Sequence, residues 1–92
     1  MSLVESRAAF RARALSIGLD GPTVDALVAR GWATMGAFAF ACSSTPGGAG
    51  PDRFLDEIGE PILRDRQHPQ VASLRRLWFE SFTMAAAELR KE

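Results

Sequence analysis

The chain has 92 residues, a length that makes one domain, residues 1–92, with a small core. A hydrophobic fraction of 47% and a charged fraction of 24% indicate a folded soluble protein. Eleven basic residues balance eleven acidic ones, so no global field draws the chain onto nucleic acid or an anionic membrane. No apolar run approaches the ~20 residues that span a bilayer, and no N-terminal signal sequence is visible. We therefore expect a cytoplasmic protein that makes no membrane contact.

The first predicted helix begins with a capping box at Ser2–Glu5 and runs to about Ile17. In such a box a hydroxyl and a carboxylate three residues later satisfy free backbone amides. Arg7 and Arg11 share one face of this helix, and Gly18 ends it. The spacing of the apolar residues predicts a second, buried face, consisting of Leu3, Phe10, Ala14 and Ile17.

Two short helices are predicted next. Asp20 can cap the first of them, with Pro22 in its opening turn and Gly31 at its end. Thr34 caps the second, which extends from Met35 to about Cys42 and is apolar on every side, as buried helices are. The apolar stripe of the earlier helix consists of Val24, Leu27 and Val28.

Residues 43–51 form the clearest loop, since Gly and Pro punctuate them throughout. The segment exceeds the usual helix–helix connection, which indicates a flexible arm or a contact loop. Pro46, Gly47 and Gly48 are its candidate contact residues. The loop lacks the Gly-Lys-Ser/Thr end of a phosphate-binding loop and follows a helix rather than a strand, so we predict no nucleotide site.

The last part of the chain contains the strongest helix signal. Asp52 can cap a short helix that Gly59 ends, and Pro61–Leu63 can form a single turn. A long helix then extends from Pro69 to Arg90. Its broad apolar sector consists of Val71, Leu74, Leu77, Trp78, Ser81, Phe82, Met84, Ala85 and Leu89.

These elements predict an all-α bundle of four or five helices, because no segment alternates with a period of two. The N-terminal half, helix, tight Gly turn and helix, has the outline of helix-hairpin-helix and SAM-like domains. The predicted core consists of Phe10, Ala14, Ile17, Leu27, Val28, Trp32, Phe38, Leu74, Leu77, Trp78 and Phe82.

The residue types that carry chemistry are sparse. Cys42 is the single cysteine and His68 the single histidine, and neither has neighbours at metal-ligand spacing. The acidic pairs are typical of helix caps and solvated faces. We therefore expect no catalytic residues, no metal, no cofactor and no small-molecule substrate.

Protein contact is the favoured interpretation. Phe79 lies outside the apolar sector of the long helix, on the side of Arg75 and Arg90. An aromatic ring flanked by arginines has the composition of a binding hot spot. Either Phe79 contacts a partner or it packs under the glycine-rich loop. The candidate partner-binding residues are therefore Arg75, Phe79 and Arg90, with Arg7 and Arg11 on the first helix.

Several sequence patterns together resemble small helical proteins encoded by tailed bacteriophages. They are Gly18–Leu19, the aromatic-Ala pattern of Phe38–Phe40, Phe54, Leu74–Thr83 and Ala87–Leu89. The resemblance implies a virion component assembled in the host cytoplasm, such as a capsid cement, decoration or connector protein. Its implied partners are capsid or connector subunits or further copies of itself. The shared motifs carry no catalytic residues.

Two other classes remain open. A small nucleic-acid-binding accessory protein of the helix-hairpin-helix type is the main alternative. The acidic residues dilute its arginine groups, however, and Trp32 places a bulky ring in the turn that would face DNA. A regulator that binds a host enzyme is the third class.

Overall fold

The computed structural model describes residues 3–89, and these residues form helices and loops without any strand. The chain is all-α, as predicted. The first described element is a 3₁₀ turn, Leu3–Glu5, and a π-helical turn, Leu55–Gly59, leads directly into the helix that begins at Glu60. The five α-helices are α1 (Arg7–Ser16), α2 (Gly21–Ala29), α3 (Met35–Ala39), α4 (Glu60–Leu63) and α5 (Val71–Leu89).

Side-chain caps start α2 and α3 where the sequence predicts them. The Asp20 carboxylate accepts the Thr23 N–H at 2.9 Å, and the Thr34 hydroxyl accepts the Ala37 N–H at 3.1 Å. Each cap satisfies an amide that has no partner inside its helix. Their positions fix the first residue of both helices.

The prediction for the start of α1 is wrong. The cap is Ser6, whose hydroxyl accepts the Ala9 N–H at 3.0 Å, while Ser2 lies outside the described residues. The preceding residues turn as a 3₁₀ helix because Val4 packs onto α3 and α5. Leu3, which was placed on the buried face, is therefore exposed.

Gly18 ends α1 in a conformation that other residues adopt with strain. Its φ is +114°, and a Cβ at this position would lie 2.9 Å from the Ser73 Oγ of α5. The turn therefore depends on a residue without a side chain, both for its backbone angle and for its contact with α5.

We expect Gly18→Ala to lower the free energy of unfolding by roughly 1–2 kcal/mol, since it combines a positive φ with a steric clash. Urea denaturation monitored by circular dichroism measures this. Gly21→Ala is the matched control, because nothing lies within 4 Å of the added Cβ. Equal stability of the two variants would contradict the interpretation.

The segment between the loop and α5 differs from its prediction. Gly59 does not end the helix there, and the chain continues to Leu63 before Arg64 turns with φ +63°. In the π-helical turn the Glu60 N–H donates to the Leu55 carbonyl, five residues back. Pro61 cannot donate a backbone hydrogen bond, and its ring would clash with the preceding turn of a regular α-helix. The wider π-helical turn makes room for the ring.

Two other helices are shorter than predicted. α3 ends at Ala39 rather than Cys42, and Phe40 just beyond it is exposed. α5 begins at Val71 rather than Pro69, after the imidazole Nδ1 of His68 accepts the Gln70 N–H at 3.0 Å. The expected end of α5 at Arg90 lies outside the described residues.

The core packs around α5, and α3 makes the most extensive contact with it. Seven of the predicted core residues are buried: Phe10, Ala14, Leu27, Phe38, Leu74, Leu77 and Trp78. Ile17, Trp32 and Phe82 are half-buried. Val28 was predicted to be buried but is exposed, because α2 turns Val24 and Leu27 inward instead. Phe54 and Ile58, which the prediction did not include, are completely buried.

Candidate functional site

A cleft of about 610 Å³ lies between the 43–51 loop and α5. Gly47 and Gly48 line the loop side, and Arg75, Trp78 and Phe79 line the helix side. Gly47 and Gly48, two of the predicted loop contacts, therefore meet Arg75 and Phe79, two of the predicted partner-binding residues, at one cleft. Pro46, the other predicted loop contact, is half-buried and does not line the cleft.

Hydrogen bonds anchor both ends of the loop. The backbone N–H and the hydroxyl of Ser43 both donate to the Glu57 carboxylate, at 2.7 and 2.5 Å, and these bonds lower the pKa of Glu57. At the other end the Arg53 N–H donates to the Ser44 hydroxyl at 3.2 Å. The glycines between these anchors lie exposed along the cleft.

Arg75 supports the base of the cleft. Its guanidinium donates to the Asp52 carboxylate at 2.9 Å and lies over the Phe54 ring, 4.6 Å from the centroid. The Phe54 ring in turn packs on Trp78, with 5.0 Å between centroids. A hydrogen bond from the Phe54 N–H, then the Arg75 pair, lowers the pKa of Asp52. Contacts within the chain therefore hold Arg75 in place, and only the exposed third of its side chain is available to a partner.

Phe79 lies at the mouth of the cleft. Its ring meets Trp78 edge to face, at 5.9 Å and 83°, yet 42% of the residue remains exposed. Phe79 and the 43–51 loop line the same cleft, so the ring is partly enclosed and partly exposed, and its contact with a partner stays a prediction. Phe79 is an exposed aromatic side chain held by a buried one.

The other predicted partner-binding residues lie elsewhere. Arg11 on α1 forms an ion pair with Asp25 of α2 at 3.2 Å. Arg7 is exposed and makes no ion pair with another described residue, and neither arginine lines the cleft. Arg90 lies outside the described residues.

The arginines on the described surface are mostly neutralised. A second, more open hollow of about 580 Å³ lies beside the start of α5 and is lined by Arg66, Arg75 and Arg76. Each of these arginines pairs with a carboxylate. Binding to phosphates normally uses an unopposed basic patch, and this hollow does not provide one.

Residues 3–89 offer little for other chemistry. No group of three His, Cys, Asp or Glu side chains in this part of the chain is placed to hold a metal ion. The Cys42 sulfur lies 3.2 Å from the Ser44 hydroxyl. Across the described helices, none has the length and apolar character to cross a membrane. Comparison with protein families, curated proteins and solved structures finds no match to this chain.

An ion pair that the sequence does not reveal joins α1 to α5. Arg13 donates twice to the Glu80 carboxylate, at 2.7 and 2.8 Å, and Arg76 donates to it at 3.0 Å. The Arg13 hydrogen bonds, more than any other cause, lower the pKa of Glu80 from 4.5 to about 2. This ion pair links α1 to α5 outside the hydrophobic core.

Because its pKa is lower in the folded state, Glu80 stabilises the fold above pH 4.5, and this contribution is lost as the pH falls to about 2. We expect Glu80→Gln to lower the free energy of unfolding at pH 7 by about 1 kcal/mol and to flatten its decline between these pH values. Urea titrations at several pH values measure both effects. Asp25→Asn, which breaks a more exposed pair, should change stability little. An unaltered pH profile in Glu80→Gln would contradict the assignment.

Proposed function

We propose that this chain is a non-enzymatic protein that works by contacting another protein, through the cleft between the 43–51 loop and α5. The observation that supports this most is the position of Phe79. Its side chain is exposed at the mouth of the cleft, while its ring packs edge to face against the buried Trp78. A rigid, partly exposed aromatic ring is typical of residues that dominate binding energy.

The composition of the cleft also suits a protein partner. Phe79 offers an apolar surface, the glycines offer exposed backbone groups, and Asp52 and Arg53 provide charges of both signs at the edge. Such a mixture matches the apolar centre and polar rim of protein interfaces. The volume fits a few side chains, so we expect the partner to insert a loop or a chain end.

The more specific role that we propose is a virion component of a tailed phage, such as a capsid cement, decoration or connector protein. This step rests on the resemblance of the sequence around Phe38–Phe40 and Leu74–Thr83 to phage-encoded proteins. The partners would be capsid or connector subunits, and the chain would be found in the virion after assembly in the host cytoplasm.

The paired arginines make nucleic acid the less favoured partner. A gel-shift titration separates the two possibilities, since binding to nucleic acid weakens steeply as salt rises. A salt-sensitive shift at physiological ionic strength would contradict the protein-contact proposal.

A photo-crosslinking phenylalanine analogue at position 79 tests the proposed surface directly. In cells that naturally make the chain, we expect irradiation to join it to one protein of defined mass. The same analogue at Val28 is the matched control, because this α2 residue is 40% exposed and lies outside the cleft. A crosslink to nucleic acid, or a pattern equal to that of the Val28 control, would overturn the proposal.

A further inference from the structure

The charged side chains that line the cleft are not balanced. Arg53 and Arg75 line it, and Asp52 is the one carboxylate among its described lining residues. Glu57 lies near Arg53 but does not line the cleft. The cleft therefore carries more positive than negative charge, although the formal net charge of the whole chain is zero.

The carboxylates beside the cleft already have hydrogen-bond donors from the chain itself. One oxygen of Asp52 accepts the Phe54 N–H at 3.0 Å, and the other accepts the Arg75 guanidinium at 2.9 Å. The Glu57 carboxylate accepts both the backbone N–H and the hydroxyl of Ser43. Both acids are therefore engaged in contacts within the chain.

The two guanidinium groups, in contrast, keep free N–H donors, because each offers several. Arg75 uses one nitrogen, Nη1, for Asp52, and about a third of its side chain is exposed. The Nε of Arg53 lies 3.6 Å from the Glu57 carboxylate, which is longer than a hydrogen bond, and 55% of that side chain is exposed. Since both arginines line the cleft, their remaining donors are available to an anion that enters it.

An apolar surface lies one helical turn from Arg75. Phe79 follows it by four residues on α5, and side chains at this spacing are neighbours, with ~5–6 Å between their Cβ atoms. The last residue of a chain carries a carboxylate and a side chain on the same Cα, so it can place one on Arg75 and the other on Phe79. An acidic side chain within a loop has no fixed apolar companion, and its chain must also leave the cleft again.

We propose that the cleft binds the C-terminal end of a partner chain whose last residue is apolar. This inference rests on the proposed function and names the part of the partner that enters. Arg53 and Arg75 donate to the terminal carboxylate, and the last side chain packs on Phe79. Hydrogen bonds between guanidinium and carboxylate are among the strong ones, and capture of a terminal carboxylate is a recurring mode of peptide recognition.

The size of the cleft agrees with such an occupant. Its volume of about 610 Å³ lies within the ~300–1,000 Å³ of sites that enclose ligands of small-molecule size. A chain end of a few residues has this size, whereas a folded surface does not enter such a space.

Selection from random peptides, with the full chain as bait, tests this proposal. One library displays short random peptides with free C-terminal ends, and a matched library displays the same peptides followed by a fixed Gly-Ser tail. We expect binders from the free-ended library alone, with an apolar last residue. A synthetic copy of a selected peptide should bind about tenfold more weakly as its C-terminal amide, because amidation removes the charge that the guanidinium groups bind.

Variants of the chain assign this binding to the cleft. Arg53→Gln should weaken the selected peptide about tenfold, and Arg53→Lys should recover part of the loss, because lysine keeps the charge but not the planar set of donors. Arg11→Gln is the matched control, since Arg11 is an exposed, ion-paired arginine outside the cleft. Circular dichroism should show these variants folded, because both substituted residues are exposed.

Three results would contradict the chain-end assignment. They are a free-ended library that yields no binder, binders selected equally well with the Gly-Ser tail, and binding that neither amidation nor Arg53→Gln weakens. None of them contradicts the proposed function, because the crosslinker at position 79 reports a protein partner whichever part of it enters the cleft. A missing protein crosslink, by contrast, bears on the proposed function itself.

Discussion

Replacing Trp78 with alanine is expected to lower the free energy of unfolding by roughly 3–5 kcal/mol, which is a large fraction of the stability that a small domain typically has. Trp78 is completely enclosed and packs against the Phe54 ring at 5.0 Å. Its removal leaves a cavity in the middle of α5 and takes the support from Phe79. The variant should unfold at a much lower urea concentration.

Trp78→Phe provides a sharper comparison. The indole Nε1 is buried and has no hydrogen-bond partner among the described residues. Losing this N–H removes a desolvation cost of about 1–3 kcal/mol, while the smaller ring loses a similar amount in packing. We therefore expect Trp78→Phe to remain within about 1 kcal/mol of the parent chain. A loss as large as that of Trp78→Ala would mean that the indole nitrogen has a partner.

Phe79→Ala is expected to have the largest effect on binding. A truncated hot-spot residue typically costs 2 kcal/mol or more, which corresponds to about a thirtyfold weaker association. Since Phe79 already contacts solvent, the isolated domain should retain its melting temperature within a few degrees. Calorimetry measures the melting temperature of the variant. A binding assay with the protein that the crosslinking experiment identifies measures the change in association.

Val28→Ala is the control for Phe79→Ala, because it removes a similarly exposed apolar side chain outside the cleft. It should change neither quantity. If Phe79→Ala lowered the melting temperature strongly while association stayed the same, Phe79 would be a packing residue and the cleft would lose its main contact.

Local signals explain most of what the sequence predicts correctly. Asp20 and Thr34 cap their helices within three residues of the amides they satisfy, and Gly18 and Gly31 adopt positive φ where the helices end. These features need no knowledge of the rest of the chain. The apolar sector of α5 also follows from spacing alone, although Leu89 at its end is exposed.

Long-range contacts explain what the sequence does not reveal. Arg13 and Glu80 are 67 residues apart, and Asp52 and Arg75 are 23 apart, so no local pattern relates them. The cleft depends on such contacts, because the Asp52–Arg75 pair fixes the loop against α5. Residues of the cleft could be named from composition, and Phe79 beside the loop was one of two open alternatives, but the Asp52–Arg75 pair that joins the loop to α5 could not be derived.

Competition between similar local signals explains the remaining differences. Ser2 and Ser6 both offer a capping hydroxyl in the sequence, and Ser6 caps α1 directly after the turn whose Val4 packs against Ala39 and Ala85. Gly59 has the composition of a helix end, yet it continues the helix because a wider turn accommodates Pro61. In each case tertiary contact decides between alternatives that are locally equivalent.

The central proposal, that the chain is a virion component of a tailed phage, is tested most directly by counting its copies in purified phage particles. Quantitative mass spectrometry of particles from cells that make the chain provides the count. We predict a constant number of copies per particle that withstands washing with high salt and falls strongly for Phe79→Ala. Absence of the chain from the particles, together with a monomeric purified protein, would contradict the claim.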